Sequence, residues 1–479
     1  MRSRLRRTKI VATLGPASED EKVINGMIDA GLNVVRVNFS HGNTADHVRI
    51  VDRVRECARK KGHDIGILAD LQGPKIRIDR FKEGMVVLED GARFILDTAC
   101  GINDGTGERV GVAYKELPND VRHGDTLLLD DGNIVLWVDQ VNGGEIWCRV
   151  VVGGELSNNK GINRQGGGLS APAITDKDRE DIKTAAMIKA DYVAVSFPRN
   201  AADINEAREL LRAAGGHGHI VAKIERAESL ANIDEIVAAT DVVMIARGDL
   251  GVEIGDAELP AVQKRLIQLS RKMNRIVITA TQMMHSMVEH QNPTRAEVFD
   301  VANAVLDGTD AVMLSAETAS GHYPVKVIEA VDRICYGAEK EKFVQSSRHR
   351  VSDEFHQIDE SIAMATMYTA NHLGVRAIAT LTESGSTPKW MSRISSGIPI
   401  YAMTRREETR RKLTLYRGVY PVDFDITSTN HIEVNREIIK EMERRGTVQE
   451  GDLVIITKGD VMGVHGATNT MKIVRVGEY

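Results

Sequence analysis

The chain has 479 residues, 42% hydrophobic and 27% charged, with a formal net charge of -6. That length predicts about three domains, the composition is that of a globular protein, and the acidic balance argues against a nucleic-acid surface. Cys57, Cys100, Cys148 and Cys335 stand far apart with no Cys-x-x-Cys pair, which speaks against a disulfide framework or zinc site and fits a reducing compartment. No charged-then-apolar leader and no apolar run of membrane-spanning length occurs, so a cytoplasmic chain with no membrane partner is expected. The basic start, Arg2 to Arg7, reads as a solvated tail or a small anion patch.

The first apolar run, Thr8 to Gly15, closes on Gly-Pro. A helical stretch from Glu19 to Ala30 follows, then a second run, Asn33 to Ser40, a helix over Ala45 to Lys61, and a third run, Asp64 to Asp70. Strand, helix, strand, helix, strand is the mark of a parallel sheet. From Gly73 to Ala171 the helical period nearly vanishes. Short β-rich runs take over at Met85 to Leu88, Ala92 to Leu96, Thr126 to Leu129, Ile134 to Val138 and Glu145 to Val152, with Asp131-Gly132 and Asn142-Gly143 as hairpin dipeptides. This predicts an inserted β-rich domain, a small barrel, with Gly153-Gly154 and Gly166-Gly167-Gly168 as a hinge. The βα rhythm then resumes with strands at Tyr192 to Phe197, Ile220 to Ile224, Val242 to Ala246, Ile276 to Ala280 and Ala311 to Leu314. With the first three, these make the eight βα units that close a barrel. From Val344 a separate α/β domain is expected. It has a helix over Asp359 to His372, strands at Ala377 to Leu381, Ile400 to Met403, Val419 to Phe424, Leu453 to Thr457 and Lys472 to Val476, and a polar turn, Thr382 to Thr387. The expected boundaries are 1–72 with 172–343 for the (β/α)8 barrel, 73–171 for the lid and 344–479 for the last domain.

In parallel α/β folds ligands sit at the C-terminal ends of strands. Those ends here carry Thr13; Arg36, Asn38 and Ser40; Asp70; Lys223 and Glu225; Asp249; Thr281 and Gln282; Ser315 and Glu317. Glu225 and Asp249 are hard oxygen donors of the kind Mg²⁺ or Mn²⁺ prefers. Lys223 and Arg36 can balance charge on a phosphoryl group in transfer. Singly, Lys223 with Glu225 could be a structural ion pair and Asp249 a helix cap. Structural pairs, however, have no reason to collect at one end of a barrel.

Seven stretches make the chain resemble the pyruvate kinases over essentially its whole length: Lys9 to Ser18, Val35 to Gly42, Asp70 to Arg77, Val221 to Glu225, Ala246 to Gly251, Thr279 to Met283 and Met313 to Thr318. The resemblance implies an α/β fold: a (β/α)8 TIM barrel with a β-barrel lid inserted after the third strand and a C-terminal α/β regulatory domain. It implies phosphoryl transfer from phosphoenolpyruvate to ADP and a homotetramer. Carried over by position, Glu225 and Asp249 hold Mg²⁺, Lys223 and Arg36 meet the phosphoryl group, and the Gly248 and Asp249 amides take the substrate carboxylate. Thr281 lies near the carbon that gains a proton. Asn38, His41, Arg77 and Lys160 face the nucleotide. The family's K⁺ site corresponds to Asn38, Ser40, Asp70 and the Leu71 carbonyl. Members that need K⁺ usually carry a glutamate two residues before the arginine matched by Arg77; this chain has Lys75, whose ammonium could replace the ion. The turn holding Thr382, Ser384, Gly385, Ser386 and Thr387 corresponds to the family's effector loop, with AMP or a sugar monophosphate expected as activator. Two rival readings exist: a metal-dependent aldolase or lyase, and a metabolite-binding regulator on a decayed enzyme scaffold. The first does not explain Arg77 and Lys160, and the second should have lost one of Lys223, Glu225 and Asp249.

Overall fold

The computed structural model describes residues 5–74, 76–345, 354–428, 430–460 and 468–478. Eight parallel strands close into a barrel: β1 (Lys9–Thr13), β2 (Val34–Asn38), β3 (Gly66–Asp70), β4 (Tyr192–Val195), β5 (His219–Ile224), β6 (Val242–Ala246), β7 (Ile276–Ala280) and β8 (Ala311–Leu314). Neighbours in the ring are neighbours in the chain, and β8 pairs β1 through Lys9 with Ala311. Six of the eight strands are buried at every position, which is why they read as unbroken apolar runs. The part-exposed strand positions are Arg36 and Asn38 on β2 and His219 and Lys223 on β5. Three of these four belong to the expected site at the C-terminal rim.

Helices cover the outside of the barrel, bounded where the sequence supplies caps. Asn43 makes a capping box with Asp46 at the head of the helix Thr44–Lys61, and Gly62 ends that helix in the left-handed region. Thr294 with Glu297 does the same for the helix Arg295–Asp307.

The insertion between β3 and β4 has its own apolar core, including Phe94, Leu127, Leu136 and Ile146. The expected small barrel is hydrogen-bonded as a six-stranded sheet and a separate two-stranded ribbon. Three short strands, Arg109–Gly111, Gly154–Ser157 and Ile162–Arg164, lie where the sequence predicted turns; each is too short to show an alternation. The return leg turns on its glycines. Gly166, Gly167 and Gly168 have φ of 80°, 79° and 95°, a region open to glycine at no steric cost.

The C-terminal domain is a five-stranded sheet of β9 (Ala377–Leu381), β10 (Ile400–Thr404), β11 (Val419–Asp423), β12 (Leu453–Gly459) and β13 (Thr468–Arg475), in the order β11-β10-β9-β12-β13. It packs under the N-terminal end of the barrel. Val11, Leu68, Val221, Met244 and Ile278 from the barrel interior share one apolar cluster with Met367, Met391, Leu413 and Tyr416 of this domain. Buried arginines pin the joint. Arg393 pairs with Asp310, both side chains 1% exposed, and Arg411 reaches Asp191 at 3.0 Å.

Candidate active site at the barrel rim

Five charged side chains meet where β2, β3, β5 and β6 end. Arg36 donates to Asp70 Oδ2 at 2.7 Å through Nε and to Thr13 Oγ1 at 3.0 Å. Lys223 Nζ stands 3.0 Å from Glu225 Oε1 and 3.3 Å from Asp70 Oδ1, and donates to Ser196 Oγ at 2.7 Å. Ser196 Oγ in turn donates a hydrogen bond to the Leu71 carbonyl at 2.7 Å. Glu225 Oε2 accepts from the Phe197 amide at 3.0 Å. Asp249 lies in the first turn of the helix Arg247–Ile254, which begins directly after β6.

Three carboxylates thus face two cations. Asp70 and Glu225 are almost fully buried, at 1% and 3% exposure. Asp70 Oδ1 is buried without a hydrogen bond, its ion pair with Lys223 lying outside hydrogen-bond geometry. Burial, with Asp249 and Asp70 nearby, pushes the Glu225 carboxyl up to about 7 against the pull of Lys223. Burial also raises the Asp249 carboxyl. Asp70 moves the other way, because Lys223 and Arg36 together outweigh its desolvation. The Lys223 ammonium is raised by Asp70 and Glu225 despite its burial. A buried site with one carboxylate in excess stabilises an added cation. The donor chemistry fits a hard divalent ion: two carboxylates, Glu225 and Asp249, with room for water and substrate oxygens to complete the shell. Among the described residues no group of three or more His, Cys, Asp or Glu side chains could hold a metal, so such an ion would depend on those outside ligands.

Thr281 closes the floor. Its Oγ1 accepts from the Gly248 amide at 2.8 Å and donates to the Ala280 carbonyl at 2.6 Å. Its φ of 68°, with 52° at Gln282, is a strained backbone for β-branched and polar residues, as binding sites tolerate. The Gly248 amide, expected to take a substrate carboxylate, is engaged by Thr281 here. A Cβ at Gly248 would lie 3.8 Å from Thr281 Oγ1, an ordinary contact.

The lid brings some of its expected residues close. Arg77 and Asp131 are near enough to act on the Asp249 carboxyl, Arg77 lowering and Asp131 raising it. Arg77 donates to the Asn159 carbonyl at 3.4 Å, and Lys160 is held by Asp130 at 2.6 Å. Asn38 uses its side-chain oxygen on the Ser40 amide at 3.1 Å, and His41 is exposed just beyond. Lys75 lies outside the described residues. Glu317, expected at the rim, serves the backbone instead: its carboxylate accepts from the amides of Met284 and Ser315.

The sequence reading missed Ser196, Arg247 and Asp130. Arg247 grips Asp300 with both terminal nitrogens at 2.7 and 2.8 Å and donates to the Ala280 and Thr281 carbonyls, so it fixes the strained turn. No local pattern pairs it with Asp300. Asp130 could have been found: it opens the Asp-Asp-Gly turn, and both aspartates are left-handed, with φ of 51° and 56°.

At the far end of the chain, the turn Thr382 to Thr387 leads β9 into the helix Ser386–Ser392 through Gly385, φ 84°. Thr382 Oγ1 accepts from the Gly385 amide. Ser386 donates to Asp359 at 2.9 Å and Thr387 to Thr468 at 2.8 Å. The expected residues do converge on one turn, but these two hydroxyls are already bonded within the protein.

Fold and rim together define a class: a (β/α)8 barrel protein with a cluster of buried charges at the C-terminal ends of its strands. The model of the pyruvate kinase barrel domain matches residues 5–328, and that of the pyruvate kinase alpha/beta domain matches residues 360–474. The chain is 56% identical to pyruvate kinase II of Salmonella typhimurium, covering 99% of this chain and 100% of that one. It is 54% identical to a pyruvate kinase of Haemophilus influenzae over 98% of both, and 52% identical to one of Buchnera aphidicola subsp. Acyrthosiphon pisum over 99% and 100%. The chain belongs to the pyruvate kinase family and is a phosphotransferase.

Proposed function

We propose that the chain transfers the phosphoryl group of phosphoenolpyruvate to ADP, giving pyruvate and ATP, as the last step of glycolysis in the cytoplasm. The observation that carries this reading is the charge imbalance at the rim: Asp70, Glu225 and Asp249 against Lys223 and Arg36. Mg²⁺ (or Mn²⁺), held by Glu225 and Asp249, would neutralise charge on the substrate's oxygens when bound. Lys223 and Arg36 meet the phosphoryl group from the other side. As its bond to the enol oxygen breaks and a bond to an ADP oxygen forms, their positive charge stabilises the spreading negative charge. The enolate left behind takes a proton on its terminal carbon at the Thr281 side of the site, from that hydroxyl or from water. Asn38, His41, Arg77 and Lys160 are the nucleotide-side residues, and closure of the lid excludes water as a competing acceptor. Pyruvate formation from phosphoenolpyruvate should require both ADP and a divalent cation; formation without ADP would sink the assignment.

K⁺ is dispensable on this reading, with the Lys75 ammonium replacing an ion that Asn38, Ser40, Asp70 and the Leu71 carbonyl would otherwise hold. A large rate gain on adding K⁺ to Na⁺- and K⁺-free buffer would contradict that. The Thr382 to Thr387 turn receives AMP or a sugar monophosphate as activator. Titrating AMP, ribose 5-phosphate and fructose 1,6-bisphosphate at sub-saturating phosphoenolpyruvate tests this, and no response to any of them removes the regulatory role. A homotetramer is supported by apolar side chains left in water on two faces. Phe299 on the barrel is 69% exposed, and Ile358 and Tyr368 on the C-terminal domain are 68% and 55% exposed. A monomer mass by light scattering would exclude it. No helix among the described residues is long and apolar enough to cross a membrane.

A further inference from the structure

A cleft of about 440 Å³ opens at the joint between the barrel bottom and the C-terminal domain, far from both the rim and the Thr382 to Thr387 turn. That volume is in the range of small-molecule sites. One wall is aromatic: Tyr401 and Tyr420 sit with ring centroids 5.7 Å apart at 37°, and Tyr336 faces them from the barrel side. Tyr420 spends its hydroxyl on the Arg6 carbonyl, at 3.0 Å. Tyr401 is only 7% exposed, and its hydroxyl makes no hydrogen bond among the described residues. The mouth is cationic. Among the described residues, Arg376 bonds through Nε alone, on the Thr447 carbonyl at 3.3 Å, and Arg445 through Nε alone, on Glu441 at 2.6 Å. Burial raises the Tyr401 hydroxyl, and both arginines stand close enough to oppose that rise. Lys340 lies 5.0 Å from the Tyr336 ring. The one carboxylate on the floor, Glu339, is already committed to the Arg7 amide and to the amide and hydroxyl of Thr8.

The geometry points to a second ligand site, for a small molecule with a flat ring and one anionic head group. The ring lies against this tyrosine wall, where area burial favours it; Tyr401 and Tyr420 already touch each other, with centroids 5.7 Å apart. The head group, a carboxylate or phosphate, meets the terminal nitrogens of Arg376 and Arg445, whose fork suits either anion. Tyr401 supplies the hydroxyl hydrogen bond inside. Such an occupant touches both domains and the segment Arg7 to Thr8, which leads directly into β1. The other end of β1 carries Thr13, the residue that accepts from Arg36.

The test is calorimetric titration of the full-length protein with phenyl phosphate, benzoate and inorganic phosphate. Parent, Arg376→Glu/Arg445→Glu and Ser384→Glu are compared. The arginines are exposed, so the double variant should keep the parent Tm. Saturable binding of phenyl phosphate or benzoate that weakens by about tenfold or more in the double variant, and is unchanged in Ser384→Glu, supports the site, and whichever probe binds names the head group. Equal binding by parent and double variant, no saturable binding of either aromatic probe, or phosphate binding as tightly as phenyl phosphate would overturn it.

Discussion

The two ends of the barrel bury charge in opposite ways. At the bottom, Asp191, Asp241 and Asp310 precede β4, β6 and β8. Each accepts from an amide of the neighbouring strand, Ile67, Ile220 and Val277, all at 2.9 Å. Each also has its own arginine: Arg411, Arg208 and Arg393. At the rim, Asp70, Glu225 and Asp249 share Lys223 and Arg36, and one buried oxygen of Asp70 has no hydrogen bond. A completed set of partners makes a joint, whereas an incomplete one leaves room for a ligand. The same residue types are structural at one end and chemical at the other because of how fully they are paired.

Substitutions at the two ends should therefore fail in different assays. The largest stability effect belongs to Arg393→Met. It leaves Asp310 buried without its partner, a loss of about 3–5 kcal/mol that a urea titration would record, while the folded fraction keeps its turnover. A variant that kept the parent's stability would mean that the joint is held by apolar contact alone. At the rim, Lys223→Met should lose about 10²–10³-fold in kcat per folded molecule, beyond any fall in Tm from leaving Asp70 and Glu225 without their shared cation. A large fall in Tm with kcat intact would reverse the comparison, making Lys223 a structural partner of Glu225.

A smaller effect tests the joint by pH. Lys9 donates to the Val419 carbonyl at 2.6 Å and sits 4.5 Å from the Tyr420 ring centroid. Burial, helped by Arg6, lowers its ammonium to about 7. Between that value and the ordinary lysine range the unfolded chain binds a proton that the native one releases. Stability from this group therefore rises with pH above 7, by at most about 1.4 kcal/mol per unit. Measured from pH 7 to 9, the parent should gain on Lys9→Met. A difference that is flat across that window would show that Val419 and Tyr420 keep the ammonium charged.

The barrel was legible because its strands are buried on both faces and its helices carry caps; both are local signals. The rim was legible because polar residues at the end of an apolar run are conspicuous: Arg36, Lys223, Glu225 and Asp249 all stood out for that reason. What stayed hidden depends on contacts between distant parts of the chain. Arg247 and Asp300 are 53 positions apart, Ser196 joins the site only through the closure of β4 against β5, and Arg393 and Arg411 look like ordinary surface arginines on short helices. The lid strands Arg109–Gly111 and Ile162–Arg164 have three residues each, too few for a period-2 pattern to show.

The smallest expected effect concerns the lid, where pairing is neither complete nor absent. Lys160 and Asp130 are 2.6 Å apart with side chains 36% and 19% exposed, so the pair is worth about 0.2–1 kcal/mol. Asp130 is left-handed, φ 51°, a conformation asparagine also accepts, so Asp130→Asn should fold. It removes the carboxylate that holds Lys160, which is proposed to meet the nucleotide. The KM for ADP should rise about two- to fivefold, matching the worth of the pair, while the KM for phosphoenolpyruvate stays put because Lys223 and Arg36 are untouched. An equal rise in both constants would mean that Asp130 shapes the whole lid. A fall in the KM for ADP would mean that it competes with the nucleotide for Lys160, placing the lid with the incompletely paired groups of the rim.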